Sequence, residues 1–463
     1  MPLARSLLDR SSGPFSFRAK REWGAGSTSP WEGEKRALRA QNRVWPRLRR
    51  DRIARKARTP VLWAEAENGD GLRPSPLLFS RKCGIINKIK EEYESRRPTA
   101  GQDYGGTAMT LKEMLEARHL PSIQFPSTAT GWWQRHREIS QLLCREAYGQ
   151  LPSPPLQLTA EELSVDERFC AGKAPLHQLR LSVVLPRGRF SFPVSLALPR
   201  GREGHPAVIF ISFRPNMPDK YLPVEELADR GYAVASFCYS DVTADNSDFY
   251  DGLAAVLDVD RSRPDAPGKL MLWAWAAMRV MDHLRTVHGI DRRRIVAAGH
   301  SRLARAALLA AGLDPRFSAV LANEPGCMGG ALTRGKTGEG LEDVCDTFPY
   351  FFCPRLRDHV GHESEMPFDQ HFLLSLIAPR RLYVASAERD LWADPTSEFL
   401  GCAAASEAWC SLAVPGLVCP DRLPRVGEVF AQGSVGYHIR PGEHYLSRYE
   451  WQQFLDFIEQ DPL

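Results

Sequence analysis

Apolar positions along the chain change texture at about residue 176. From there, short runs that first alternate and then become continuously apolar recur between stretches of helical spacing, the pattern of strands that begin at a sheet edge and move into its interior. Leu179 to Leu185 and Phe190 to Leu198 read as an opening hairpin. Ala207 to Phe213, Tyr232 to Phe237, Ile295 to Ala298, Ala319 to Ala322, Leu382 to Ser386 and Val435 to Ile439 follow as further strands. The longest helical pattern, Lys269 to His288, stops at Gly289, and its apolar spacing suits a helix packed on a sheet face. Strand and helix in alternation predict a largely parallel α/β sheet with helices on both faces. No repeat of 20 to 50 residues interrupts it.

The region before residue 176 divides in two. Residues 1–108 carry Pro, Gly and Ser throughout, with an Arg-rich run from Arg47 to Arg58 and no sustained period, and are expected to be a disordered basic extension. Met109, ahead of a helix-like Leu111 to Leu120 segment, is a second candidate start. Residues 109–175 are expected to be a helical lead-in and residues 176–463 the catalytic domain.

Composition narrows the class. With 43% hydrophobic and 25% charged residues among 463, the chain is globular in character. Lys and Arg number 60 against 56 Asp and Glu, a net of +4. Residues 1–108 hold 23 of the basic and 12 of the acidic side chains, leaving a mildly acidic body. The basic arm lacks interleaved aromatic pairs and contains Glu22, Glu32 and Glu34, so neither nucleic-acid binding nor organelle targeting is read from it. The ten cysteines form no Cys-x-x-Cys pair, and no apolar run has the length of a membrane span or of a secretory signal core. A soluble cytoplasmic chain with reduced thiols is the expectation, with no nucleic-acid or membrane partner.

The strongest chemical signal is Ile295-Val296-Ala297-Ala298-Gly299-His300-Ser301-Arg302-Leu303, an apolar strand running into Gly-x-Ser and then the Ala-rich stretch Ala304 to Ala311. A strand-to-helix turn of this kind strains the serine, exposes its hydroxyl above the sheet and aims the next backbone N–H at a developing oxyanion. Leu303 stands where the five-residue pattern usually has Gly. Serine needs a histidine base held by a carboxylate, in the chain order serine, acid, histidine. His444 lies just past the last expected strand, whereas His438 lies inside it and reads as packed. Two positions can supply the acid: Glu324, after the strand Ala319 to Ala322, and Asp390, after the strand ending at Ser386. Glu388 and Asp394 are neighbouring alternatives. His371 reads as a structural hydrogen-bonding group. His359, His362 and Glu363 lie in a Gly-containing loop with no helix to fix a ligand spacing, so no metal site is expected.

Six ordered segments, Gly299 to Leu303, Asn323 to Ala331, Asp369 to His371, Ile377 to Arg380, Asp390 to Pro395 and Gly436 to Gly442, resemble the bacterial glucuronoyl esterases of carbohydrate esterase family 15 from about Leu176 to Phe457. The resemblance implies an α/β-hydrolase fold, a three-layer sandwich, and serine hydrolysis of esters of 4-O-methyl-D-glucuronic acid without metal or organic cofactor. It implies Ser301 as nucleophile, His444 as base, Glu324 as acid with Asp390 as the variant, and Arg302 assisting the oxyanion. It also places Arg305, Glu339 and Trp392 against the uronic acid. Without it, Trp392 reads as core packing and Glu339 as a solvated loop residue. Two departures bear on specificity. Ala304-Arg305 replaces the family's Gly-Lys, and Phe213-Arg214-Pro215-Asn216 stands where relatives carry an Asn-rich loop, with Pro removing a backbone donor. The partner implied is a small-molecule or oligosaccharide uronate ester. The rival readings are a carbohydrate acetyl esterase or general carboxylesterase with the same triad, and a silent carbohydrate-binding relative.

Overall fold

The computed structural model describes residues 109–201 and 203–460. The expectations for residues 1–108 lie outside them.

Ten strands form one sheet: β1 Gln157–Asp166, β2 Leu176–Leu185, β3 Gly188–Ala197, β4 His205–Ser212, β5 Ala233–Cys238, β6 Ile290–His300, β7 Ala319–Asn323, β8 Arg381–Ala387, β9 Val429–Phe430 and β10 Val435–Arg440. Their order across the sheet is β1-β2-β3-β5-β4-β6-β7-β8-β10-β9. The first three strands run antiparallel as a meander, and β5, β4, β6, β7, β8 and β10 are mutually parallel. β4 is buried along its whole length, because helices cover both faces of a parallel sheet and leave no side for polar residues.

The helices Lys269–Leu284 and Arg302–Leu313 cover one face, and Val224–Asp229 with Arg448–Ile458 covers the other. Ile209 and Ala297 face the first layer, and their strand neighbours Val208, Phe210, Val296 and Ala298 face the second. This is the α/β-hydrolase three-layer sandwich. The helix Lys269–Leu284 is shorter than the predicted one, because chain beyond Leu284 turns back into β6 at Ile290.

One expectation needs correction. The 109–175 lead-in contains the helices Leu111–Glu116 and Ala129–Leu143, but its second half is β1, paired antiparallel with β2. β1 carries no apolar alternation, because as an edge strand it is mostly exposed, with only Leu158 and Val165 half-buried and Leu158 packed on the main core. The segment is also continuous with the body, since Trp132, Ile139 and Leu143 are buried in the main core.

No helix among the described residues is long and apolar enough to cross a membrane.

Candidate active site

Ser301 sits where β6 ends and the helix Arg302–Leu313 begins, with φ 57° and ψ −131°. A non-glycine residue at such angles is strained, and the strain is stored where surrounding structure dictates it. Gly299 dictates it here: a Cβ at this position would lie 2.3 Å from the Leu303 carbonyl oxygen, so the helix can fold back onto the strand only over a glycine. Leu303, the departure from the usual pattern, is fully buried in the core. The Ser301 N–H donates to the Asn323 carbonyl at 2.9 Å and ties the turn to the end of β7. Arg302 is the first residue of the helix, where a backbone N–H has no intrahelical acceptor.

The ring of His444 packs on that of His300, which directly precedes Ser301, with centroids 4.5 Å apart. Nδ1 of His444 meets both candidate acids, lying 2.6 Å from Asp390 Oδ2 and 2.9 Å from Glu324 Oε2. The two carboxylates are not equivalent. Glu324, itself at φ 49°, also accepts from the Tyr445 N–H at 2.8 Å and from Arg440 at 3.2 Å, whereas among the described residues the Asp390 carboxylate accepts only the Ala393 N–H besides the imidazole. Burial opposes the charge of His444, but hydrogen bonds to Asp390 and Glu324 outweigh it and push the imidazole up to about 10. Burial raises Glu324 to about 7 against the lowering pull of His444. The His444 side chain is 37% exposed, although its Nδ1 is held by the two carboxylates.

Side chains around this core fix its loops. Arg440 pairs with Glu450 and donates to the carbonyls of Glu443 at 3.0 Å and Tyr445 at 2.5 Å, bracketing His444. Asn323 donates from Nδ2 to the Tyr445 carbonyl at 3.1 Å and to His300 Nδ1 at 2.9 Å, which assigns the His300 proton to Nε2. In the loop after β4, Pro215 has no backbone N–H and the Arg214 N–H is taken by Ser212 Oγ at 3.2 Å.

Arg305, Glu339 and Trp392 do come together, in an arrangement the sequence did not foretell. Arg305 and Glu339 are both buried and pair with each other at 2.5 Å, while Arg305 Nε donates to the Pro325 carbonyl at 2.7 Å. The Glu339 N–H donates to the Trp392 carbonyl at 2.9 Å, and the Trp392 side chain is 41% exposed. The bare sequence reading is thereby reversed for both residues, since the carboxylate is inside and the indole outside.

The remaining histidines that the sequence singled out make local contacts. His371 Nε2 bonds the Pro121 carbonyl at 2.9 Å, and His438 bonds Tyr383 at 3.0 Å within β10. His359 faces Glu146 while His362 faces Glu365, so the two do not form a shared ligand set. Among the described residues, the only three-residue group with metal-ligand spacing is His300, Glu324 and His444, the same cluster just described. Arg440, Tyr445 and Asp245 were not singled out by the sequence. An arginine directly after the apolar run Val435 to Ile439 was the one signal available for Arg440, whereas Asp245 lies in a polar loop with no motif.

A family description reading glucuronyl esterase, fungi, matches residues 182–413. The chain belongs to this glucuronyl esterase family. The structure of a glucuronoyl esterase from Solibacter usitatus superposes with a TM-score of 0.68 at 31% identity, covering 73% of this chain and 97% of that one. A promiscuous CE15 esterase from a marine bacterial metagenome gives 0.67 at 26% identity, covering 73% and 96%. Among curated proteins, the carbohydrate esterase MZ0003 of an unknown prokaryotic organism is 32% identical over 239 residues, 51% of this chain and 55% of its own length. The 4-O-methyl-glucuronoyl methylesterase of Podospora anserina is 31% identical over 283 residues, 58% of this chain and 54% of its own. The chain thus spans about half the length of these curated relatives.

Proposed function

We propose that this chain is a serine carboxylic-ester hydrolase that cleaves alkyl or aryl esters of (4-O-methyl-)D-glucuronic acid through an acyl-enzyme. The observation that carries the reading is Ser301, strained at the head of its helix directly after His300, whose ring packs on His444, the imidazole whose Nδ1 is held by two carboxylates. Relatives named 4-O-methyl-glucuronoyl methylesterases supply the substrate class.

In this mechanism Nε2 of His444, the ring nitrogen left free by the carboxylates, takes the Ser301 proton as Oγ attacks the ester carbonyl. The oxyanion forms near the Arg302 backbone N–H and guanidinium. Collapse expels the alcohol, which leaves with the proton from His444, and water then repeats the cycle on the acyl-enzyme and releases the uronic acid. The exposed Trp392 indole offers a face to the sugar ring. The reaction calls on no metal or organic cofactor, and a small-molecule or oligosaccharide ester is the partner.

A second reading is a broader carboxylesterase. It is favoured by the Arg305–Glu339 pair, because each group satisfies the other and fewer charged donors remain to select a uronic acid. Hydrolysis of benzyl D-glucuronate, assayed beside p-nitrophenyl acetate and the Ser301→Ala variant, separates the two. The proposal expects uronate ester cleavage that falls by several orders of magnitude in the variant. Cleavage of the acetate alone would move the substrate elsewhere, and full activity of Ser301→Ala would overturn the mechanism.

A further inference from the structure

Arg302 is the residue whose side chain would have to aim at the oxyanion, and its own support lies in the polar loop after β5. Its guanidinium pairs with Asp245 and lies over the rings of Phe348 and Phe351, at 5.2 and 5.5 Å from their centroids. Asp245 is the only hydrogen-bond acceptor that the Arg302 side chain has among the described residues. A guanidinium has five N–H donors in a rigid fork, so this pairing leaves others to offer.

Asp245 is itself held from several sides. The Tyr239 hydroxyl donates to its Oδ2 at 2.9 Å, and the Tyr350 hydroxyl donates to its Oδ1 at 3.1 Å. The adjoining backbone is pinned by Lys269, whose fully buried ammonium donates to the carbonyls of Ala244 and Asp248, both at 2.5 Å. A buried ammonium is costly unless its donors are met, and here they are met by the loop that carries Asp245. In this arrangement of the loop both Lys269 and the two tyrosines are satisfied.

We propose that Asp245 is a positioning residue that fixes the Arg302 guanidinium for oxyanion stabilisation, with Tyr239, Tyr350 and Lys269 holding Asp245 in turn. The inference deepens the esterase reading and rests on it. A free arginine side chain would have to surrender rotamer freedom as charge develops; a clamped one has done so beforehand, and preorganised donors cost no reorganisation at the moment of reaction. The carboxylate offsets part of the arginine's charge, so the net benefit is orientation rather than field strength.

The test is a double-mutant cycle on benzyl D-glucuronate with Asp245→Asn, Arg302→Ala and the pair, each variant checked by thermal unfolding. Asp245→Asn should lower kcat by roughly 10- to 100-fold with KM changed about twofold or less, since the interaction acts in the transition state. In the Arg302→Ala background the same substitution should change kcat by no more than about twofold. Tyr350→Phe, a smaller change, should repeat this dependence on Arg302 with a smaller loss and serves if Asp245→Asn does not fold. An Asp245→Asn kcat equal to or above wild type, or losses that multiply in the pair, would overturn the proposal. Wild-type protein with no Ser301-dependent activity would instead overturn the esterase reading itself.

Discussion

At the scale of single residues, the imidazole with two carboxylates is the feature with the clearest consequences. One Nδ1–H cannot make two full hydrogen bonds, and the shorter contact goes to Asp390, while Glu324 already serves Tyr445 and Arg440. Each carboxylate raises His444, whose ordinary value is 6.5. A general base works only when neutral, so the acid limb of kcat/KM should lie above that value. Asp390→Asn and Glu324→Gln should each move the limb down and leave measurable turnover, whereas the double variant should lose on the order of 10³- to 10⁴-fold. If either single variant were as inactive as the double, the other acid would be idle. Ser301, His444 and both acids were legible in the sequence as candidates, because each follows an apolar strand run, and the fold brings His444 to both acids. Which acid meets the imidazole was not, since two strand ends 66 residues apart in sequence (324 and 390) are neighbours only in the sheet.

At the scale of elements, the nucleophile turn is a joint between β6 and its helix that depends on one missing methyl group. The Cβ of Gly299→Ala would meet the backbone of Leu303 and Ala304, at 2.3 Å from an oxygen and 2.8 Å from a nitrogen. Backbone cannot give way as a flexible side chain can. The variant should therefore lose both activity and stability, by roughly 2 kcal/mol or more in urea unfolding. A soluble variant with normal stability and turnover would show that the turn has room the geometry denies. The strands of the sheet were readable because burial on two faces writes continuous apolar runs. β1 was not, since a mostly exposed edge strand with only Leu158 and Val165 half-buried writes no pattern. Glu339 was misread for a related reason: a charged side chain in a polar stretch looks solvated until folding brings its counter-ion, Arg305, from 34 residues away.

For the whole molecule, the buried acids and His444 set how stability depends on pH. Burial raises Glu324 to about 7 and Glu398 to about 8 from an ordinary 4.5, while the two carboxylates, against burial, raise His444 to about 10 from 6.5. In each case the folded state binds the proton more tightly than the unfolded chain. That stabilisation is complete below the unfolded value and is lost as pH rises through the folded one. Glu450 has the opposite sign: despite burial, hydrogen bonds to His438 and Ser447 and the charge of Arg440 lower it to about 2, so its contribution is lost as pH falls from 4.5 toward 2. Thermal unfolding should therefore show highest stability in the mildly acidic range and decline from pH 6.5 toward 10. A midpoint that rose across that interval would contradict this balance.

What lies in the sequence and what lies in the fold divide along physical lines. Order of the buried strands, the glycine-dependent turn at Ser301 and the chain order of serine, acids and histidine are local or periodic properties, and the chain states them directly. The sheet order, the meeting of Asp390 and Glu324 at one nitrogen, the burial of Arg305 against Glu339 and the Asp245 support beneath Arg302 are pairings across tens of residues. Such pairings have no sequence period, because a charged group's partner is chosen by which strand ends and loops the packed sheet brings within about 3 Å of it.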